Sequence, residues 1–106
     1  MPRLDEVKRR NGDTEAILQG LASKSPIFRF QAICGAVNHS VYLPEVLDRI
    51  KTLTNDDERV MGYSVSMLAQ AALVRAGVAE YGGDDSRVLR LIQTPVWFDV
   101  AQLKTK

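Results

Sequence analysis

At 106 residues with a formal net charge of +1, the chain is long enough for one hydrophobic core. It is too nearly neutral for a long-range field to concentrate it on phosphate backbones or anionic lipid. Its 45% hydrophobic and 25% charged residues match an ordinary globular domain and exclude overall disorder or a fibrous repeat. A single cysteine, Cys34, leaves no disulfide framework. No stretch could span a membrane, and the charge-rich start from Met1 to Asn11 lacks the apolar segment of a secretory signal. A cytoplasmic protein is expected. Asn38-His39-Ser40 matches a glycosylation acceptor, but without a secretory route the match is read as chance.

Breakers at Asn11-Gly12, Ser25-Pro26, Pro44, Asn55-Asp56-Asp57, Gly82-Gly83 and Thr94-Pro95 divide the chain into seven short helices. The first spans about Pro2 to Arg10, with Leu4 and Val7 on one side and basic residues on the other. The second spans Thr14 to Ala22, with Asp13 as N-cap and Ile17, Leu18 and Leu21 as its apolar stripe. The third opens at Ser25-Pro26, where serine can cap and proline at the first helical position sacrifices no hydrogen bond, and it ends near Asn38. The fourth begins at Pro44 and carries Val46, Leu47, Ile50 and Leu53 at helical spacing. The fifth starts after Asp56 or Asp57 and reaches Ala76, which makes it the longest and most apolar, with Gly77 as its stop. The sixth spans Asp85 to Gln93 with Val88, Leu89 and Ile92, and the seventh starts at Thr94-Pro95. No segment alternates long enough to read as a strand.

Laying the third, fifth and seventh helices over one another shows an internal repeat. Ser25-Pro26-Ile27-Phe28 recurs as Thr94-Pro95-Val96-Trp97, with Ala32 and Ala101 equivalent further on. The middle helix fits with Phe28 on Val60, Ala32 on Ser64 and Ala36 on Leu68. The preceding helices repeat as well, Val46-Leu47 with Ile50 matching Val88-Leu89 with Ile92. Stacked repeats present one residue type at one structural position, so Phe28, Val60 and Trp97 are expected to meet in a single interior. The fifth helix, as the central one, is expected to be buried nearly all round.

These helix pairs resemble the HEAT and armadillo-like repeat family over about residues 13–104. The resemblance rests on the acidic or Ser-Pro start of each second helix, the large apolar residue beside Arg29, and the small-apolar run that follows. It departs where the family's arginine is replaced by Met61 in the second unit and Phe98 in the third. It implies an all-α fold, a right-handed α-α superhelix of about three antiparallel helix pairs with a short N-terminal helix. The chain is then one helical-repeat domain over residues 1–106, with residues 1–11 as the N-terminal helix and 13–39, 44–77 and 85–104 as the units.

In that family the second helices line the concave side, where extended partners are held. Polar residues recur in register along them, Gln31 with Tyr63, Cys34 with Ser66, and Asn38 with Gln70. Gln31, Asn38, Tyr63, Ser66 and Gln70 are therefore the candidate partner-binding residues. The competing reading is that they are only the solvated side of packed helices.

No catalytic or metal-binding residues and no cofactor are expected. His39 is the only histidine, and it stands five residues from Cys34, on roughly the opposite side of a helix. A zinc site or a nucleophilic triad needs more company than that. The clusters Asp56-Asp57-Glu58 and Asp84-Asp85 are read as helix caps, and Gly82-Gly83 lacks the spacing of a phosphate cradle. The expected function is a noncatalytic protein-binding or scaffolding module, the partner being another protein. One alternative is a DNA-binding HEAT-like protein in which Lys8, Arg9, Arg10, Arg29, Arg49 and Lys51 form a patch, although near-neutrality makes nucleic acid a poor default. The other is a self-assembling structural homodimer joined through Val96, Trp97, Val100 and Leu103 of the C-terminal helix.

Overall fold

The computed structural model describes Lys8, Arg9 and residues 11–97. Among them five helices and a small hairpin follow in the order α1 (Thr14–Leu21), α2 (Pro26–Asn38), α3 (Pro44–Thr52), β1 (Arg59–Val60), β2 (Tyr63–Ser64), α4 (Val65–Arg75) and α5 (Ser86–Gln93). Lys8 and Arg9 are helical, and Thr94 to Trp97 are not. The rest of the predicted first helix, and the predicted seventh helix beyond Trp97, lie outside the described residues.

Three helices begin where a short polar side chain can accept from a free amide. The Ala16 N–H donates to Asp13 Oδ1 at 2.9 Å before α1. The Met67 N–H donates to Ser64 Oγ at 3.1 Å before α4, and the Arg87 N–H donates to Asp85 Oδ1 at 2.8 Å before α5. Ser25 holds the N-cap position of α2 but its side chain makes no cap hydrogen bond, contrary to expectation. The start of α2 relies on Pro26, whose ring presets a helical φ and whose missing N–H leaves no orphan.

The reading that excluded strands is overturned between Asp56 and Ser64. The fifth helix does not begin at Asp56 or Asp57. Arg59 pairs antiparallel with Ser64 and Val60 with Tyr63, closing a two-residue loop, and the helix starts at Val65. The physical reason is the backbone of Met61 and Gly62, at φ +55° and +86°. Two successive left-handed residues match the twist of a tight hairpin and break a right-handed helix. The Asp56 side chain caps no helix either, although its backbone carbonyl accepts from the Ser66 N–H at 2.7 Å in the first turn of α4. Its Oδ1 accepts from the Glu58 N–H at 3.1 Å, shaping the loop that leads into β1.

The central helix is α2 rather than the predicted fifth. It is the longest, at 13 residues against 11 in α4, and every residue from Arg29 to Val37 is buried. It packs against α1 on one side and α4 on another, while α4 also meets α3 and α5, and α3 touches α1. This placement suits its composition, since after Arg29 nothing in α2 carries charge and Ala32, Gly35 and Ala36 let neighbours come close. Gly35 is the tightest point. A Cβ there would run into the Arg9 carbonyl oxygen, so only glycine lets the segment carrying Arg9 lie directly on α2.

The expected common phase of Phe28, Val60 and Trp97 is not what the fold shows. Trp97 is fully buried, but Phe28 and Val60 are half-buried. The core aromatic of α2 is Phe30, two residues on, while Phe28 lies beneath the Arg9 guanidinium at 4.8 Å from its ring centroid. In α5 the inward residues are Val88 and Leu91, and Leu89 is exposed. In α3 they are Val46 and Ile50. Val46 and Val88 thus match as buried residues, whereas Ile92 is only partly buried where Ile50 is sealed and exposed Leu89 stands against partly buried Leu47, so the correspondence of the two helices is incomplete.

Candidate functional site

The predicted polar stripe does not emerge as one surface. Gln31 is buried, and its Oε1 accepts from Arg9 Nη2 at 3.0 Å, so it is not available to a partner. Asn38 uses both ends of its amide on the backbone of Trp97. Its Nδ2 donates to the Trp97 carbonyl at 2.7 Å, and the Trp97 N–H donates back to Oδ1 at 2.6 Å. Ser66 Oγ donates to the Thr54 carbonyl at 2.5 Å and accepts from Gln70 Nε2 at 2.8 Å. Four of the five residues thus satisfy polar groups within the fold, as half-buried and buried polar side chains must. Tyr63, on β2, is the one that reaches a cavity.

That cavity has a volume of about 220 Å³ and is lined by Tyr63, Arg90, Leu91, Thr94, Val96 and Trp97. Its construction begins with Trp97, locked from both sides. Asn38 grips its backbone, and the indole Nε1–H donates to the Leu91 carbonyl at 2.9 Å. The chain after α5 is fixed by Arg75, which donates to the carbonyls of Thr94 and Pro95. Thr94 Oγ1 donates to the Arg90 carbonyl at 2.6 Å. Val96 is 68% exposed, an apolar wall left in water. Arg90 is exposed, and among the described residues its guanidinium makes no ion pair.

The hairpin abuts the other end of the same helix face. Arg87 Nη1 donates to the Gly62 carbonyl at 3.0 Å and Nη2 lies 3.4 Å from Asp85 Oδ2, so one arginine ties the hairpin tip to the cap of α5. Hydrogen bonds from Arg87, through its backbone N–H and then its side chain, hold the Asp85 carboxyl below its ordinary value. Arg87, Arg90 and Thr94 are spaced i, i+3, i+7, one face of a helix. That spacing is present in the sequence as a signal, although the apolar pattern of Val88, Leu89 and Ile92 dominates the segment.

Elsewhere several charged groups are paired. Arg29 lies 2.8 Å from Asp56 Oδ2 and 2.6 Å from Glu58 Oε1, and it donates to the Ser23 carbonyl at 2.8 Å. Lys51 lies 3.9 Å from Asp48. Of the basic patch considered above, Arg9 and Arg29 are buried and engaged, and Arg10 lies outside the described residues. Cys34 is fully buried, and that burial pushes its thiol far above its ordinary range, leaving no reactive thiolate. Among the described residues no group of three or more histidine, cysteine or acidic side chains could hold a metal ion, and no helix is long and apolar enough to cross a membrane.

Comparison of the chain with protein-family models, with curated proteins and with solved structures finds no match. The cavity is therefore interpreted from its own chemistry.

Proposed function

We propose that the chain is a noncatalytic protein-binding module of the cytoplasm, and that a segment of another protein seats one side chain in the cavity beside α5. The observation that carries this reading is the cavity's size and wall together. At about 220 Å³ it lies below the roughly 300–1,000 Å³ typical of sites for small molecules and cofactors, yet it is roomy enough for a single large side chain. Its walls are Tyr63, Leu91, Val96 and Trp97, aromatic and aliphatic groups of the kind that dominate protein contacts.

The polar groups of the wall support a binding role over chemistry. Among the described residues no histidine or carboxylate lines the cavity, the Thr94 hydroxyl is engaged by the helix it follows, and an arginine is not a proton-transfer group near neutral pH. The HEAT-like superhelix belongs to the same proposal. It is supported by the pairing of α1 with α2 and of α3 with α4, and by the contact of α2 with α4 and of α1 with α3. A second copy of the chain is the competing occupant, favoured by the exposure of Val96. Trp97, however, is buried and would meet such a copy only as part of the cavity wall.

Peptides selected from a random displayed library on the folded chain test the reading. They are expected to lose about tenfold or more in affinity to the Val96→Asn variant, where an exposed wall residue becomes polar and neutral. They should bind Glu15→Gln, on α1, as they bind the parent. Selected peptides indifferent to Val96→Asn would overturn it, and light scattering showing a dimer that Val96→Asn dissociates would transfer the cavity to a second copy.

A further inference from the structure

Resting on that reading, we infer that the partner segment is acidic: carboxylates flank the apolar side chain that enters the cavity, and they are received by the arginines of the α5 face. The chain is almost neutral overall, but the charge beside the cavity is positive, with Arg90 in its wall. Among the described residues the ion pairs join Arg29 to Asp56 and Glu58, Lys51 to Asp48, and Arg87 to Asp85. Around the cavity the balance differs. Among the described residues, Arg90 lines it without an ion pair, Arg75 is bound to the carbonyls of Thr94 and Pro95, and no carboxylate lines it. Tyr42 feels the same field: burial pushes its phenol up, and the nearby charge of Arg75 pulls it partly back.

Geometry sets the order in which such a segment is read. Arg87 and Arg90 stand one turn apart on a single face of α5, with Arg90 at the cavity and Arg87 at the hairpin tip, bound to Gly62. A segment lying along this face presents its apolar side chain between Tyr63 and Val96, one carboxylate to Arg90 and another toward Arg87. A guanidinium accepts a carboxylate through two parallel N–H groups, which favours this pairing over a diffuse charge contact. Beyond the arginine the surface is apolar again. Met61, 65% exposed at the hairpin tip, offers a flexible, polarizable contact of the kind common on peptide-binding surfaces. A nucleic acid strand would need a continuous basic track, and three arginines beside a pocket with apolar walls do not make one.

Short labelled peptides of defined composition provide the test, read by anisotropy and by the emission of Trp97, the only tryptophan. One peptide carries a central leucine flanked by glutamate and aspartate, a second the same leucine flanked by serine, and a third the acidic flanks around a central serine. The acidic leucine peptide is expected to bind the parent chain best, by about tenfold over either of the others, with affinity falling as salt rises. Arg90→Glu should abolish that preference, Arg90→Lys should keep part of it, and Arg49→Glu, on exposed α3 surface, should leave it unchanged. Unaltered helical content in Arg90→Glu separates loss of binding from loss of fold. Equal binding of the serine-flanked peptide, indifferent to Arg90→Glu but sensitive to Val96→Asn, would overturn the acidic partner and leave the protein-binding cavity standing. No binding of any peptide, with the displayed library also empty, would remove both. Stronger binding of a single-stranded thymidine oligomer that Arg90→Glu abolishes would replace the acidic segment by nucleic acid.

Discussion

Arg29 at the start of α2 and Arg90 on α5 carry the same guanidinium into two different surroundings. Arg29 is buried, and its donors meet Ser23, Asp56 and Glu58, so its charge holds the start of α2 against the loop before β1. Arg90 is exposed beside an apolar cavity, and no carboxylate among the described residues meets it. A cation removed from water must be paired within the fold, whereas one kept in water can stay unpaired at little cost. The difference teaches that a nearly neutral chain can still hold a local field, because carboxylates stand beside Arg29 and, among the described residues, not beside Arg90.

The most damaging way to break this comparison is to remove the side chain that stands between the two regions. Trp97 is gripped by Asn38 at the end of α2 and forms part of the cavity wall. Trp97→Ala should cost roughly 3–5 kcal/mol in a denaturant-unfolding measurement. Phe28→Ala, which would cost as much if the two residues were equivalent, should cost only about 1 kcal/mol, since that ring is half-buried beneath Arg9. Equal losses at both positions would restore the common phase expected from the sequence.

Next in size is the contrast between the arginines themselves. Arg29→Ala leaves Asp56, whose side chain is 16% exposed, without its counter-ion and opens the packing around α2. A loss of about 2–4 kcal/mol is expected. Little of it comes from Glu58, which is 58% exposed and well solvated by itself. Arg90→Ala should change stability by no more than about 0.5 kcal/mol. A large loss at Arg90 would show that its charge serves the fold and not a partner.

Much of the helical architecture was legible in the sequence because its signals are local. Asp13, Pro26, Pro44 and Asp85 mark four helix starts through capping or a preset φ, and all four stand at or beside the observed boundaries. The hairpin was not legible. Its turn is Met61-Gly62 in place of the usual Asn-Gly, and Val60, Met61 and Val65 fit a helical apolar pattern equally well. The register also escaped, because Phe28 and Phe30 both offer an aromatic, and only the path of the segment carrying Arg9 decides which one is sealed. The site was least legible of all. Gln31, Asn38, Ser66 and Gln70 look like a binding stripe until their internal partners are known, while Arg90, Thr94 and Val96 become a cavity only when Tyr63 of β2 is brought opposite them.

A smaller gain sharpens the hairpin's place in the comparison. Met61 sits in the left-handed region, which costs an L-residue with a bulky side chain roughly 1–2 kcal/mol and asparagine less. Met61→Asn should therefore raise unfolding stability by about 0.5–1 kcal/mol. If the exposed methionine contributes to the partner surface, the same variant should bind the acidic leucine peptide less well. Higher stability with weaker binding is an outcome that a purely structural methionine would not give.

The smallest effect concerns Asp85, the acid nearest the arginine face. Its carboxyl is held below the ordinary value by the Arg87 backbone N–H and then by the Arg87 side chain. A carboxyl lowered in the folded state adds stability above its unfolded value of about 4, and that contribution is lost as pH falls through this range toward the folded value. Asparagine also caps a helix but does not titrate, so Asp85→Asn isolates the charge. The parent should melt slightly above the variant near neutral pH, and the gap should close as pH drops below about 4. Protonation of Asp85 also removes the carboxylate charge beside Arg87, so the field of the α5 face rises as this stabilisation falls. A gap that stays constant with pH would mean that Asp85 acts through its cap geometry alone, and that Arg87 is no freer in acid than at neutrality.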